Sequence, residues 1–211
     1  MEEAQQEGLY QQTKTGAKQY YTAGDMKFVD TNNDKCINKE DMQVIGDPNP
    51  DFYGTLSTML SWKNLTLSAT MNYSVGGDIY NYQRAILESG SFFYNQTTNM
   101  LARWTHDGQN TDVPRASFLD TMGNSRFSDR WIEDGSYLKL KNITLSYNIP
   151  VRSAYLQGLT IWGAANNLFT ISKYLGSDPE NAHSNAVIGM GIDRGLLPVG
   201  RSFAFGLKIN L

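Results

Sequence analysis

The chain has 211 residues, a formal net charge of −3, one cysteine, two histidines and no basic tract. The length allows one domain with a real core, the charge gives no reason to expect a nucleic-acid partner, and the single cysteine excludes an internal disulfide and a thiolate zinc cage. Twelve Tyr, nine Phe, four Trp and nineteen Gly indicate an all-β chain with long loops.

The polar segment of residues 1–51 contains an Asp-rich loop, DTNNDKCINKED, at residues 30–41. Its oxygen-bearing groups recur at alternate positions, which is the spacing of an EF-hand-like calcium cage. The predicted calcium ligands are Asp30, Asn32, Asp34, the backbone carbonyl of Cys36, and Asp41. Lys35 stands where the sharp turn favours glycine, and Asp41 is shorter than the usual Glu. A polar surface turn without a metal is the alternative interpretation.

Residues 52–62 and 65–75 are predicted to form two strands joined by a tight turn at Lys63-Asn64. In LTLSATMNY, which begins at Leu65, apolar and polar side chains alternate over nine residues. Because successive side chains of a strand point to opposite faces, this pattern predicts one apolar and one polar face.

The long connection 76–136 is rich in aromatic residues that carry polar tips or flat faces. We predict that it contacts a substrate or a partner protein through Tyr80, Tyr82, Phe92, Phe93 and Tyr94. Packing of these rings against neighbouring loops is the alternative, and a short helix is expected within residues 81–89. The acidic residues Asp129, Glu133 and Asp134 are expected to anchor the loop, because no cleft for paired carboxylates is indicated. No convergent catalytic set is present, so we predict that the chain is not an enzyme.

Three more strands are predicted at residues 137–149, 159–170 and 201–211. In YLKLKNITLSYNI the apolar residues stand at even positions up to Leu140 and at odd positions from Ile143 onward. A β-bulge near Lys141-Asn142 would keep all of these apolar side chains on one face. Pro150 ends this strand, because proline cannot donate to the ladder.

The five strands are about ten residues long and alternate in polarity, and short connections alternate with long ones. This asymmetry predicts an all-β fold that consists of the C-terminal strands of a large antiparallel transmembrane β-barrel with long extracellular loops. Five strands cannot close a barrel, so we expect a longer protein or a split barrel. The alternative is a secreted, calcium-stabilised β-sandwich that binds glycans.

Several stretches occur in the order found in one family: GDMKFVDTNNDKCINKEDMQVIGDPNPDF, GGDIYN, NTDVPRA, DRWIEDGSYLKLKNITLSYNIP, NNLFTISKYLGSDPE and RSFAFGLKINL. Together they resemble the C-terminal part of the SusC/RagA-type TonB-dependent outer-membrane transporters of Bacteroidetes. The resemblance spans residues 24–211. It divides the chain into an extracellular loop at 1–51, with the calcium-like motif, and barrel strands with loops at 52–211.

The resemblance implies import of oligosaccharides or peptides across the outer membrane. The implied partners are a SusD-like surface lipoprotein, the remainder of the barrel and plug, outer-membrane lipid, and TonB, which would act through an N-terminal part that these residues lack. It also implies a periplasmic C-terminus and extracellular long loops. Lys35 and the terminal Leu211 depart from the family pattern, in which Gly and Phe are common at these places.

Overall fold

The computed structural model describes residues 2–151, 156–182 and 189–210. These described ranges contain ten strands, three short α-helices and several short 3-10 helices. The strands are β1 Tyr10–Gln12, β2 Lys18–Tyr20, β3 Pro50–Trp62, β4 Leu65–Gly76, β5 Asp78–Asn81, β6 Ile132–Asp134, β7 Tyr137–Ile149, β8 Gly158–Ser172, β9 Ile192–Asp193 and β10 Ser202–Asn210; the helices are α1 Glu2–Glu7, α2 Tyr82–Leu87 and α3 Pro179–Ala182. None of the helices in these described ranges is long and apolar enough to cross a membrane.

The chain divides into two compact units, each made of two separate segments. The first unit combines Met1–Gly46 with Asn81–Ile132, and the second combines Asp47–Tyr80 with Glu133–Leu211. The expected division at residue 51, between an extracellular loop and barrel strands with loops, stays a prediction. In the compact units the long connection after β4 packs with the N-terminal segment, through contacts between residues about 90 or more positions apart.

The first unit is built mainly from turns. Strands β1 and β2 pair antiparallel, and Tyr10 also forms a parallel bridge with Cys36. Helix α2 lies where the short helix was predicted, and the side chain of Asn81 caps it by accepting from the backbone N–H of Arg84 at 2.9 Å. A small core forms around Tyr21, Ile37 and Met122.

The second unit is dominated by a five-stranded antiparallel sheet in the order β10-β8-β7-β4-β3. All five of its strands were predicted, β7 with the same bounds and the others within one or two residues where the structure describes them. The predicted turn between β3 and β4 is confirmed, and Lys63 adopts the left-handed backbone that it requires, with φ of 54°. Strands β6, β5 and β9 form a separate three-stranded sheet.

The pairing register shows that the two faces of the sheet differ in chemistry. One transverse row aligns Leu60, Leu67, Leu145, Gly163 and Phe205. Three rows further along the strands, the other face aligns Ser57, Thr70, Asn142, Asn166 and Ser202. On this polar face Asn142 donates to Asn166 at 2.7 Å and Asn166 donates to Ser202 at 3.1 Å. The sheet thus has a row of hydrogen-bonded polar side chains on one face, which we call the polar row, and an apolar surface on the other face.

The predicted β-bulge in β7 is confirmed and lies at Lys141. Asn142 pairs with Thr70 of β4 while Leu140 pairs with Met71, so Lys141 is the extra residue. Because of this insertion, Leu140 and Ile143 share the apolar face although they are three positions apart.

Two glycines of the sheet lie beneath aromatic rings of the adjacent strand. A Cβ at Gly163 would lie 3.2 Å from the ring of Phe205, and one at Gly206 would lie 2.4 Å from the indole of Trp162. Because glycine has no side chain, each ring packs directly against the backbone of the glycine. Larger side chains at these two positions would displace rings that hold β8 to β10.

Candidate functional site

The Asp-rich loop is ordered by its own carboxylates. Asp30 accepts from the backbone N–H of Lys35 at 2.7 Å, and Asp41 accepts from those of Thr31 and Asn38 at 2.9 and 2.8 Å. Lys35 has φ of 64°, so lysine adopts the left-handed turn for which glycine is usual at this position. Lysine at this position therefore does not prevent the sharp turn of the loop.

Other contacts of the loop differ from those of a filled cage. The carbonyl of Cys36, a predicted ligand, accepts from the side chain of Asn38 at 3.0 Å. Asn32 accepts from the backbone N–H of Asp34 at 3.0 Å. Within the described ranges, no group of three or more His, Cys, Asp or Glu is placed to hold a metal ion. Each carboxylate oxygen still keeps a second lone pair, and calcium binding at this loop stays a prediction.

We expect calcium titrated into the full-length receptor that contains this chain to release a saturable heat, with a dissociation constant of roughly 0.1–1 mM, as in extracellular calcium modules. The double change Asp30→Asn and Asp34→Asn should abolish the heat, because it removes two of the charges that would offset calcium desolvation. Asp129→Asn, outside the loop, should leave it unchanged. Isothermal titration calorimetry measures all three proteins, and no calcium-dependent heat in the unaltered receptor would reject the site.

The aromatic loop is brought together only in part. Phe92 stacks on Tyr94 with ring centroids 5.5 Å apart, and Phe93 lies 5.4 Å from Phe118, which also meets Phe92 edge-on at 6.5 Å. Tyr82 begins α2, whereas Tyr80 lies in β5 and belongs to the second unit. We call Phe92, Phe93, Tyr94 and Phe118 the aromatic platform. Its rings are exposed, Phe93 to 93%.

Strained backbone supports the platform. Leu119 and Asp120 both have positive φ, 61° and 43°, which costs energy for residues other than glycine. The strain is held by Asp120, which accepts from the backbone N–H groups of Asn124 and Ser125 at 2.7 and 2.8 Å. Leu119 donates its N–H to the carbonyl of Ser91, which ties the two parts of the platform together. Sequence patterns did not identify Phe118, because it lies 24 residues beyond the cluster around Phe93.

An ion pair between a buried carboxylate and a partly exposed arginine joins two of the family-like stretches. Arg115, from NTDVPRA, donates to both oxygens of Asp25, from GDMKF, at 2.8 and 3.1 Å. Asn124 and Thr22 also donate to this carboxylate. Burial by itself would raise the pKa of Asp25, but these hydrogen bonds outweigh it and hold the pKa below its usual value. The pair therefore connects the N-terminal segment of the first unit to the long connection after β4.

A second cluster joins YLKLKN to SDPE in the second unit. Lys139 donates to Asp178 at 2.5 Å and to Glu180 at 2.8 Å, and Lys141 donates to the same Glu180 at 2.8 Å. Lys139 and Lys141 are two positions apart in β7, so the alternation of a strand places both side chains on the same face. Burial opposes ionisation of Glu180, yet both lysines lower its pKa below the usual value. The connection after β8 is thereby bound to β7.

The same connection is held at a second place by a tyrosine. The hydroxyl of Tyr174 donates to the buried carboxylate of Asp193 at 2.5 Å, and the N–H of Gly195 donates to the other oxygen at 2.7 Å. Burial and the neighbouring carboxylate raise the pKa of Tyr174 well above its ordinary value, so the hydroxyl stays protonated. Sequence patterns gave no sign of this contact.

The expected anchoring role of the acidic residues before β7 agrees with their contacts. Asp134 accepts from the N–H and hydroxyl of Ser136, and Glu133 accepts from the N–H of Leu175 at 2.8 Å. The bonds from Ser136 lower the pKa of Asp134, which is therefore an anionic turn anchor.

No family model matches the chain. TonB-dependent receptor P3 of Formosa agariphila is 36% identical over 193 residues, which are 87% of this chain and 18% of that protein. TonB-dependent receptor SusC of Bacteroides thetaiotaomicron is 29% identical over 192 residues, 87% of this chain and 17% of that protein. The solved structure of the RagAB peptide transporter matches with a TM-score of 0.69 and 26% identity, over 96% of this chain and 22% of that one.

The chain spans about a fifth of the length of the relatives that it resembles. The five-stranded antiparallel sheet corresponds to the barrel strands of the RagAB transporter, which confirms the predicted fold class. The relatives are named as receptors and transporters, in agreement with the prediction that the chain is not an enzyme. The order of its motifs, its fold and these matches agree, and the chain belongs to the SusC/RagA family of TonB-dependent receptors.

Proposed function

We propose that the chain forms part of the barrel wall and the surface loops of an outer-membrane importer of oligosaccharides or peptides. The observation that carries this proposal is the exposed apolar face of the five-stranded sheet. Trp62 is 71% exposed and Phe205 is 83% exposed on that face. A continuous apolar surface of this kind fits contact with lipid. The polar row on the other face of the sheet fits a water-filled barrel interior.

The β-sandwich alternative fits these observations poorly. In a sandwich the apolar face of a sheet packs against a second sheet of similar size. The other two sheets in the described parts of the chain have only two and three strands. Strands of nine to fifteen residues are also long enough to cross a bilayer at a tilt.

The partners proposed for the importer follow from the family. RagAB is described as a peptide importer, and the relatives are named TonB-dependent receptors. We therefore propose a SusD-like surface lipoprotein as the partner at the long loops, and TonB as the source of energy through another part of the full-length receptor. In this arrangement the loops are extracellular and the chain ends in the periplasm.

The aromatic platform supports a role in capture at the cell surface. Its four rings are exposed and uncharged, and the backbone beneath them is strained but firmly bonded, which is a common property of binding sites. We propose that Phe92, Phe93 and Tyr94 contact the substrate or the partner lipoprotein during import.

The double change Phe93→Ala and Phe118→Ala removes two rings of the contact surface. In cells that carry only this variant of the receptor, we expect uptake of its oligosaccharide or peptide substrate to fall by about tenfold. Val44→Ala, an exposed apolar change outside the platform, should have no effect. An antibody blot of the outer-membrane fraction must show equal receptor in all strains. Unchanged uptake in the double variant would contradict the role of the platform, and a receptor found only in the soluble fraction would contradict the importer itself.

A further inference from the structure

The first unit contains a cavity of about 300 Å³ that is separate from the aromatic platform. Three segments surround it: the N-terminal segment, the turn of residues 21–27, and the loop of residues 104–109. The indole of Trp104 and the ring of Tyr21 supply aromatic surface, and Thr22, Lys27 and Asp107 supply polar surface. A cavity of this size accommodates one small ring.

The aromatic surface is fixed in place before any ligand arrives. Gly24 has φ of 83°, and a Cβ there would lie 2.4 Å from the indole of Trp104, so only glycine allows the ring to approach the backbone this closely. The backbone N–H of Trp104 donates to the carbonyl of Val113 at 2.9 Å, and the backbone N–H of Arg115 donates to the carbonyl of Gly24 at 2.8 Å. The stretch that contains Val113 and Arg115 therefore holds both sides of this contact.

The loop of residues 104–109, which carries Trp104, is also ordered. The side-chain oxygen of Gln109 accepts from the N–H and the hydroxyl of Thr105 at 2.8 and 3.0 Å, and its amide donates to the carbonyl of Arg103 at 3.1 Å. Rigid walls reduce the ordering cost of binding.

The charges around the cavity argue against an anionic ligand. Lys27 pairs with Glu7 and Asp25 pairs with Arg115, so these two ion pairs largely cancel. Asp107 also lines the cavity, and its carboxylate disfavours an anion. The cavity thus presents an aromatic plane beside hydroxyl, carboxylate and amide groups. A sugar ring matches both features, because its C–H face packs on an indole and its hydroxyls hydrogen-bond to polar groups at the rim.

We propose that this cavity binds one neutral sugar ring of the imported substrate, with Trp104 as the packing surface. The proposal rests on the import function and narrows its substrate to glycans. The site is distinct from the aromatic platform, since it is formed by other residues and is concave. A glycan that contacts both would be held at two places in the first unit.

Saturation-transfer difference NMR on the purified full-length receptor in detergent tests the site, because it detects ligands that bind with millimolar affinity. The probes are the methyl glycosides of glucose, galactose, mannose and xylose, with trialanine as the peptide probe. We expect at least one glycoside to give a signal, and Trp104→Ala to weaken its affinity by about tenfold or more. Trp104→Phe should retain part of the affinity.

Trp62→Phe is the matched control, because it changes an exposed tryptophan on the apolar face of the sheet and should leave sugar binding unaltered. A heat-dependent mobility shift on a gel reports whether each variant is folded. No signal from any glycoside, equal signals in the folded Trp104→Ala variant, or a signal from trialanine that needs Trp104 would each overturn the proposal. Because the readout is binding, these results are independent of whether the receptor imports.

Discussion

Replacing Lys139 by methionine is expected to destabilise the receptor by about 3–5 kcal/mol, because it leaves the carboxylate of Asp178 buried without its partner. The side chain of Lys139 is only 2% exposed, and its amino group contacts both Asp178 and Glu180. Methionine fills a similar volume, so the loss comes from the uncompensated charge and not from a cavity.

Lys141→Met is the matched control, since this lysine lies on the same strand and pairs with the same Glu180. Its side chain is 30% exposed, so removing it is expected to cost only about 0–1 kcal/mol. Urea unfolding of the full-length receptor in lipid vesicles compares the two free energies. Equal effects from the two changes would show that burial of the Lys139 pair does not matter.

A double change separates lost charge from lost packing. Lys139→Met together with Asp178→Asn should recover much of the stability lost in Lys139→Met alone, because it also removes the unpaired charge. The asparagine oxygen can still accept from the backbone N–H of Glu180, as Asp178 does at 3.1 Å. Failure to recover would assign the loss to the shape of the side chains.

Leu67→Arg is expected to destabilise the receptor in a bilayer by about 2–4 kcal/mol, because it places a charge on the face assigned to lipid. Leu67 is flanked by Leu60 of β3 and Leu145 of β7 in the apolar row. The adjacent Ser68 lies on the opposite face, between Met59 and Thr144, where an arginine would meet the polar interior.

The comparison of Leu67→Arg with Ser68→Arg therefore tests the two faces directly. The neighbouring positions share the same strand and nearly the same depth, so backbone and depth effects cancel. Urea unfolding in vesicles should show Ser68→Arg within about 1 kcal/mol of the unaltered receptor. A larger loss at position 68 than at position 67 would reverse the assignment of the faces.

The sheet could be predicted from sequence because alternation of polarity is a local signal. The nine-residue pattern from Leu65 to Tyr73 determined both the strand and its faces, and the change of phase between Leu140 and Ile143 was enough to predict the bulge. Pro150 and the Lys63-Asn64 turn marked ends that the structure places at the same residues. Each of these signals lies within about a dozen residues.

The contacts that hold the loops could not be predicted in the same way. Asp25 and Arg115 are 90 positions apart, and Lys139 and Asp178 are 39 positions apart. A polar residue in a loop has no periodic partner, so one sequence does not indicate which acid meets which base. The Asp-rich loop lies between these two cases. Its spacing is a local signal and predicted an ordered turn, but the positions of the side chains in a metal cage depend on the ion itself.

The bulge at Lys141 has a consequence for insertions and deletions in the gene. Losing the codon of Lys141 would remove the bulge and leave Leu138, Leu140, Ile143 and Leu145 alternating on one face, whereas losing the codon of Thr144 would turn over the segment that begins at Leu145. No single substitution in β7 moves as many side chains as the second deletion. We therefore expect length changes to be rare in this strand outside the bulge, even where individual amino acids are free to vary.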